Sequence, residues 1–256
     1  MLPAVCEIPA GQYTLGAEAL PFSRPPHPVT LAAFALAAWA VTNGEFAPFI
    51  AAEGYQDARF WSEMGWRWQK SKGETQPAFW EDTRFNHTLQ PVVGVCWYEA
   101  DAFARWLALE SGQAWRLPSE AEWEAAARWQ QPLPAWPPSE SVDAQINSVE
   151  RGIGRTWAAH TVGQRAACGA WNLLGNVWEW TSTRWGHNWQ TLDYPYPYRA
   201  DDGREDLSGS HARVIRGGSY FDLLREAHPA QRARFLPGSR ASNIGFRLAF
   251  SQRDAG

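Results

Sequence analysis

Cysteine is scarce in this chain: Cys6, Cys96 and Cys168 stand far apart, with no CxxC pair. The sequence therefore signals neither a zinc site nor a disulfide framework. Cys96, inside the apolar run 92–97, reads as a small buried hydrophobe. No apolar run is long enough to cross a bilayer, and residues 31–41 fall short of one. The N-terminus lacks a basic stretch followed by an apolar one, so no secretory signal is evident. Charged residues make up 20% of the chain and the net charge is −4, which argues against a nucleic-acid surface. The six histidines are scattered and form no HxxxHxE motif. These absences point to a cytoplasmic protein with neither membrane nor nucleic acid as partner.

Tryptophan is what the chain has in excess, with 17 copies against 2 methionines. Each indole buries a large ring but needs a partner for its N–H, so many of them imply a rigid, loop-rich interior threaded with polar groups. Nine residues concentrate the pattern: Asn172-Leu173-Leu174-Gly175-Asn176-Val177-Trp178-Glu179-Trp180. Gly175-Asn176 is a turn signal, and the run reads as a hairpin. Side-chain oxygens of Asn172 and Glu179, with turn carbonyls between them, suit a hard cation such as calcium. One carboxylate is few for calcium, and a hydrogen-bonded Glu179 in a tryptophan-rich core explains the same residues.

The rest of the chain mixes element types. Residues 4–15 read as a strand with a turn at Pro9-Ala10-Gly11, and 29–38 as a second strand. Thr42-Asn43 caps a helix that Gly54 closes. Residues 55–90 are aromatic and irregular, a packed excursion with short helices. A strand is expected over 91–97, and a helix over 99–110 ending at Gly112. Ser119 and Glu122 form a capping box for a helix running to about Trp129. The carboxylates of Glu120, Glu122 and Glu124 also suit the positive end of that helix, so no acid–base chemistry is needed to explain them. Residues 130–141 are proline-rich. Residues 186–210 form a long loop, of the kind that is often functional. Strands are expected at 213–220, broken by Gly217-Gly218, and at 243–250. Helices and strands without βαβ alternation give the α+β class, and no linker divides residues 1–256.

Five stretches in order resemble the formylglycine-generating enzyme (sulfatase-modifying factor) family. They are Ile8-Pro9-Ala10-Gly11 with Leu15-Gly16, Val41-Thr42-Asn43-Gly44-Glu45-Phe46, Arg116-Leu117-Pro118-Ser119-Glu120-Ala121-Glu122-Trp123-Glu124, Gly175-Asn176-Val177-Trp178-Glu179-Trp180-Thr181, and Arg213-Val214-Ile215-Arg216-Gly217-Gly218-Ser219 with Gly245-Phe246-Arg247. The resemblance implies a loop-rich variant of the C-type lectin-like fold. It also implies a structural calcium on Asn172 and Glu179 and on the carbonyls of Gly175 and Val177. Asn147 and Ser148 match part of a second calcium site, left unassigned here.

The chemistry of the enzymatic relatives does not carry over residue by residue. Oxidase members hold copper(I) on two cysteines in the C-terminal segment, and residues 213–247 contain none. A sulfoxide-forming branch, which residues 54–68 resemble somewhat, takes its iron histidines from a further domain. Neither copper nor iron is therefore expected, and no catalytic set can be assembled. Segment 219–247 is similar instead to the variable region of retroelement-diversified proteins, framed by Gly-Gly-Ser and Ile-Gly-Phe-Arg. The expected contact residues are Tyr220, Phe221, Asp222, Leu223, Ala233, Phe235, Leu236, Gly238, Ser239 and Ala241. Apolar residues on irregular loops suit a surface that binds a protein or small molecule. The opposing possibility is that they complete the core beneath the Gly-Gly strand. The other functional reading is a modifying enzyme of the same family with an unrecognised cofactor site.

Overall fold

A computed structural model describes residues 2–129 and 145–251. The proline-rich stretch 130–141 lies outside the described residues. Nine strands, four α-helices and short 3-10 turns are arranged around three small sheets among the described residues.

The N-terminal strand is split by its turn into β1 (Val5–Ile8) and β2 (Gly11–Leu15). The expected second strand also divides, into β3 (His27–Leu31) and β4 (Phe34–Ala37). β2 pairs with β3, while β1 and β4 join the last strand, β9 (Ala249–Ser251), in order β1-β4-β9. Helix α1 (Asn43–Ala51) starts from a full capping box, in which Thr42 and Glu45 satisfy each other's backbone N–H. The aromatic excursion supplies α2 (Glu63–Lys72), capped by Ser62 and closed by Gly73 at φ 66°. Helices α3 (Trp97–Ser111) and α4 (Glu120–Ala127) follow, the second with the Ser119–Glu122 box intact.

Residues 91–96 are not a strand. Their one bridge joins Pro91 to Thr42, and Trp97 already belongs to α3. Gly94 breaks the extension at φ 69°, where a Cβ would lie 2.6 Å from the Phe79 ring. Nor is the tryptophan stretch a hairpin. Residues 172–177 form a loop with Asn172 and Asn176 at φ 50° and 67°. Strand β5 (Trp178–Gly186) then runs between β6 (Ala212–Arg216) and, in parallel, β8 (Ile244–Phe246). The expected strand 243–250 breaks at Arg247-Leu248, where the chain passes from this sheet to β9.

Strand β7 (Arg232–Phe235) completes the main sheet in order β7-β6-β5-β8. The largest apolar cluster packs α3 between this sheet and the aromatic rings of α1 and residues 55–61. Phe46 stacks on Phe103 with centroids 5.0 Å apart, and Trp180 donates its indole N–H to the Val95 carbonyl at 3.0 Å. Among the described residues no helix is long and apolar enough to cross a membrane.

Candidate binding surface

The chain leaves β6 through Gly217 and Gly218 at φ 107° and 78°. A Cβ on Gly217 would stand 2.8 Å from the Leu173 carbonyl oxygen, so only glycine passes there without moving backbone. The first predicted contact residues divide at once. Tyr220 is buried against Phe85, its hydroxyl 3.0 Å from Ser242 Oγ. Asp222 accepts from Trp178 Nε1 at 2.8 Å and from Ser219 Oγ, which locks the turn. Both are framework residues rather than free contacts. Phe221 and Leu223 face outward at 71% and 42% exposure, beside the 147–150 turn, where Val149 N–H donates to the Asp222 carbonyl.

The remaining predicted residues gather at β7. Its two faces alternate: Arg232 is buried against the Glu120 carboxylate, with Nε at 2.7 Å, while Ala233 rests on the main core. Phe235 and Leu236 emerge at 40% and 44% exposure, facing Trp189 at 50%. With Ala233, Arg234 and Ser239 they line a groove of about 460 Å³. A second groove of about 720 Å³ shares Leu236 and Ser239 and adds Met64, Arg67, Trp68 and Lys72 from α2. Gly238 fits where a Cβ would stand 2.9 Å from Trp68 Nε1. Ala241 is half-buried against the core.

This surface is held from beneath. Arg240 places Nε 3.0 Å and a terminal nitrogen 2.8 Å from the two oxygens of Glu99, and also pairs with Glu74 at 2.8 Å. Glu99 is fully buried. Burial raises its pKa against the opposing pull of Arg240, and it also accepts from Tyr55 Oη at 2.6 Å. The Pro237 carbonyl accepts from Trp97 N–H, so the 236–241 turn is fixed to the start of α3. Trp189, Arg234 and the α2 residues join the surface without any signal in the sequence. In loop 186–210, Tyr196 and Tyr198 are buried against α4, while Trp189 lines the smaller groove and His187 and Ser210 the larger.

The residues expected to hold calcium lie on the 172–177 loop and at the start of β5. Both Glu179 oxygens are taken, by Arg247 Nε at 2.6 Å, by an Arg247 terminal nitrogen at 2.7 Å and by Trp123 Nε1 at 2.7 Å. The Gly175 carbonyl accepts from Val177 N–H. Asn172 Oδ1 is buried without a donor, as a metal ligand would be. It faces Gly163, where a Cβ would stand 1.9 Å away. The one carboxylate of the expected calcium set is thus paired with a guanidinium, which offsets its charge.

Two cysteines that the sequence spaced far apart do meet. Cys6 and Cys168 both belong to the cluster under β1 and α4, where Cys168 Sγ donates to the Ala126 carbonyl at 3.5 Å. The neighbouring Cys6 thiol, with backbone donors and Arg247, brings the Cys168 pKa down to about 6, while Cys6 is pushed up by the same partner.

Comparison with known proteins agrees with this architecture. A family model described as the sulfatase-modifying factor enzyme 1-like domain matches residues 1–252. The hercynine oxygenase of Mycobacterium tuberculosis is 33% identical over 263 residues, covering 93% of this chain and 59% of the relative. The chain thus spans well under two thirds of that protein. The formylglycine-generating enzyme of Streptomyces coelicolor is 30% identical over 303 residues, covering 94% of this chain and 87% of the enzyme. Among solved structures, Treponema denticola variable protein 1 superposes with a TM-score of 0.70 at 21% identity, covering 97% and 95% of the two chains. The shared fold is therefore the lectin-like one of these proteins, and the chain belongs to the sulfatase-modifying factor (formylglycine-generating enzyme) family.

Proposed function

We propose that this chain binds a protein or small-molecule ligand on the surface formed by β7, the turn after it and α2. One observation carries the reading: Trp189 from loop 186–210, Phe235 at the end of β7 and Leu236 on the turn pinned by Arg240 stand exposed around one groove. Apolar side chains clustered in water gain by being covered. A turn already fixed by a buried ion pair loses little further freedom when a ligand arrives. Phe221 and Leu223 form a smaller outward patch at the other end of the same segment. No metal at residues 172–179 is part of the proposal. The test is a binding screen of peptide and metabolite libraries against the native chain and a Phe235→Ala/Leu236→Ala variant. Ligands lost with the variant, at unchanged melting temperature, support the surface. Ligands retained in full place binding elsewhere.

A second reading, a modifying enzyme, is favoured by the identity to proteins named hercynine oxygenase and formylglycine-generating enzyme. Oxygen uptake by iron- or copper-loaded protein in the presence of a thiol tests it. Turnover that survives the double variant puts the chemistry away from β7.

A further inference from the structure

The main sheet ends in two edges treated in opposite ways. At one edge, β8 is covered: Val41 N–H donates to the Phe246 carbonyl at 2.9 Å, and Gly245 lies so close to the Val92 carbonyl that a Cβ there would stand 2.8 Å from it. At the other edge, β7 pairs with β6 alone. Among the described residues, no backbone hydrogen bond joins Arg232–Phe235 to any other element. Edge strands template pairing with another chain unless a bulge, an inward charge or a covering loop blunts them; Arg232 is such an inward charge at the start of β7, which leaves residues 233–235 as the open part of the edge. Here the edge borders an apolar groove, with Phe235 and Leu236 exposed beside it and Trp189 across from it.

The side chains lining the edge are mainly cationic, although His187, on the larger groove, is paired with Asp193 at 2.7 Å. Arg67, Lys72 and Arg234 line the two grooves, and no carboxylate lines either among the described residues. Lys72 has no acidic partner among the described residues. Arg234 spends its guanidinium on the Trp185 and Trp189 rings and on the Trp189 carbonyl. Arg67 pairs with Glu63, but both side chains are mostly exposed, so the pair screens little. The chain as a whole carries −4, which makes a positive rim here a local feature.

Resting on the binding reading above, we propose that β7 is a docking strand for an extended acidic peptide segment of a partner protein. The partner adds a strand to the sheet edge. Its backbone pairs with the outward N–H and C=O groups of β7. Alternate apolar side chains enter the groove between Trp189 and Leu236, and its carboxylates meet Lys72, Arg67 and Arg234. Main-chain pairing supplies affinity in this mode, and side-chain pockets at alternate positions supply selectivity.

The experiment pans a display library of random linear peptides against the native chain. Enriched peptides are synthesised and titrated by fluorescence polarisation. The expected peptides combine apolar and acidic residues at alternate positions. Their affinity falls at least about tenfold in an Arg67→Glu/Lys72→Glu variant, whose residues are exposed, and falls in Phe235→Ala. N-methylation of alternate backbone amides abolishes binding for one alternation and leaves the other intact, because a docked strand points every second N–H at β7. Peptides that lose affinity in Phe235→Ala but tolerate every N-methylation overturn strand addition and leave the binding surface standing. Enriched peptides without acidic residues, or indifferent to the charge reversal, overturn the acidic partner. No enrichment at all overturns peptide docking. Small-molecule binding lost in Phe235→Ala/Leu236→Ala would in that case still uphold the broader reading.

Discussion

Arg240 lies across Glu99 with nitrogen–oxygen distances of 3.0 and 2.8 Å on the two carboxylate oxygens, joining the proposed binding turn to the first turn of α3. The Glu99 side chain is fully enclosed, and that of Arg240 keeps 12% exposure. Replacing Arg240 by Ala leaves a buried carboxylate facing only Tyr55 and backbone. The expected cost is about 3 kcal/mol of stability, measured by denaturant unfolding. Ligand affinity should fall as well, because the turn loses its anchor. A change below about 0.5 kcal/mol would mean that the pair does not hold the surface.

Phe235 and Leu236 make the opposite prediction. They are exposed, so Phe235→Ala/Leu236→Ala should shift stability by less than about 1 kcal/mol. The control is Phe46→Ala, which empties a site at the centre of the core and should cost about 3–5 kcal/mol. Equal losses for the two variants would return the β7 residues to the core.

Glu179 and Arg247 bear on the metal question. Because the guanidinium neutralises this carboxylate, chelation of calcium should leave the melting temperature unchanged, whereas Arg247→Ala should cost about 3–5 kcal/mol. A fall of several degrees on chelation, reversed by added calcium, would show a metal that the pairing of Glu179 does not accommodate.

His228 sets a pH dependence. Burial lowers its pKa from 6.5 to about 4, so the folded chain keeps it neutral where the unfolded chain protonates it. Stability from this group is present above pH 6.5 and is lost as pH falls from 6.5 toward 4. The loss amounts to at most about 3 kcal/mol. Melting curves across that window should flatten in His228→Gln. An unchanged slope would assign the loss to other groups.

Cys168 should react first with alkylating reagents. Its thiolate is favoured by the neighbouring Cys6 thiol, while Cys96 is fully enclosed and burial raises its pKa well above the usual thiol range. Mass mapping after brief iodoacetamide treatment at neutral pH should find Cys168 modified ahead of Cys6 and Cys96. Equal labelling would show that the Cys6–Cys168 contact does not persist in solution.

What was legible in the sequence was local. Thr42–Glu45 and Ser119–Glu122 announce helix starts because each box is closed within four residues. The Gly217-Gly218 break and the family motifs placed the fold. Strand β7 was hidden because its alternation runs through Arg232 and Arg234, residue types that read as solvent-facing. Arg232 is instead buried on Glu120, 112 positions away in the chain. The same distance effect hid the partner of Glu179: Arg247 is 68 residues further on. The α2 side of the surface is not legible because α2 joins it only in three dimensions, where Gly238 settles on Trp68. Tyr220 and Asp222 stood in the right segment but turn inward, a choice made by Phe85 and Trp178.

Amide hydrogen exchange with and without a selected ligand tests the binding surface most directly. Slowed exchange is predicted at residues 232–239 and along 64–72, with the rest of the chain unchanged. Protection confined to the other large groove, around Trp39, Glu45 and Trp106, with none at β7, would contradict the account.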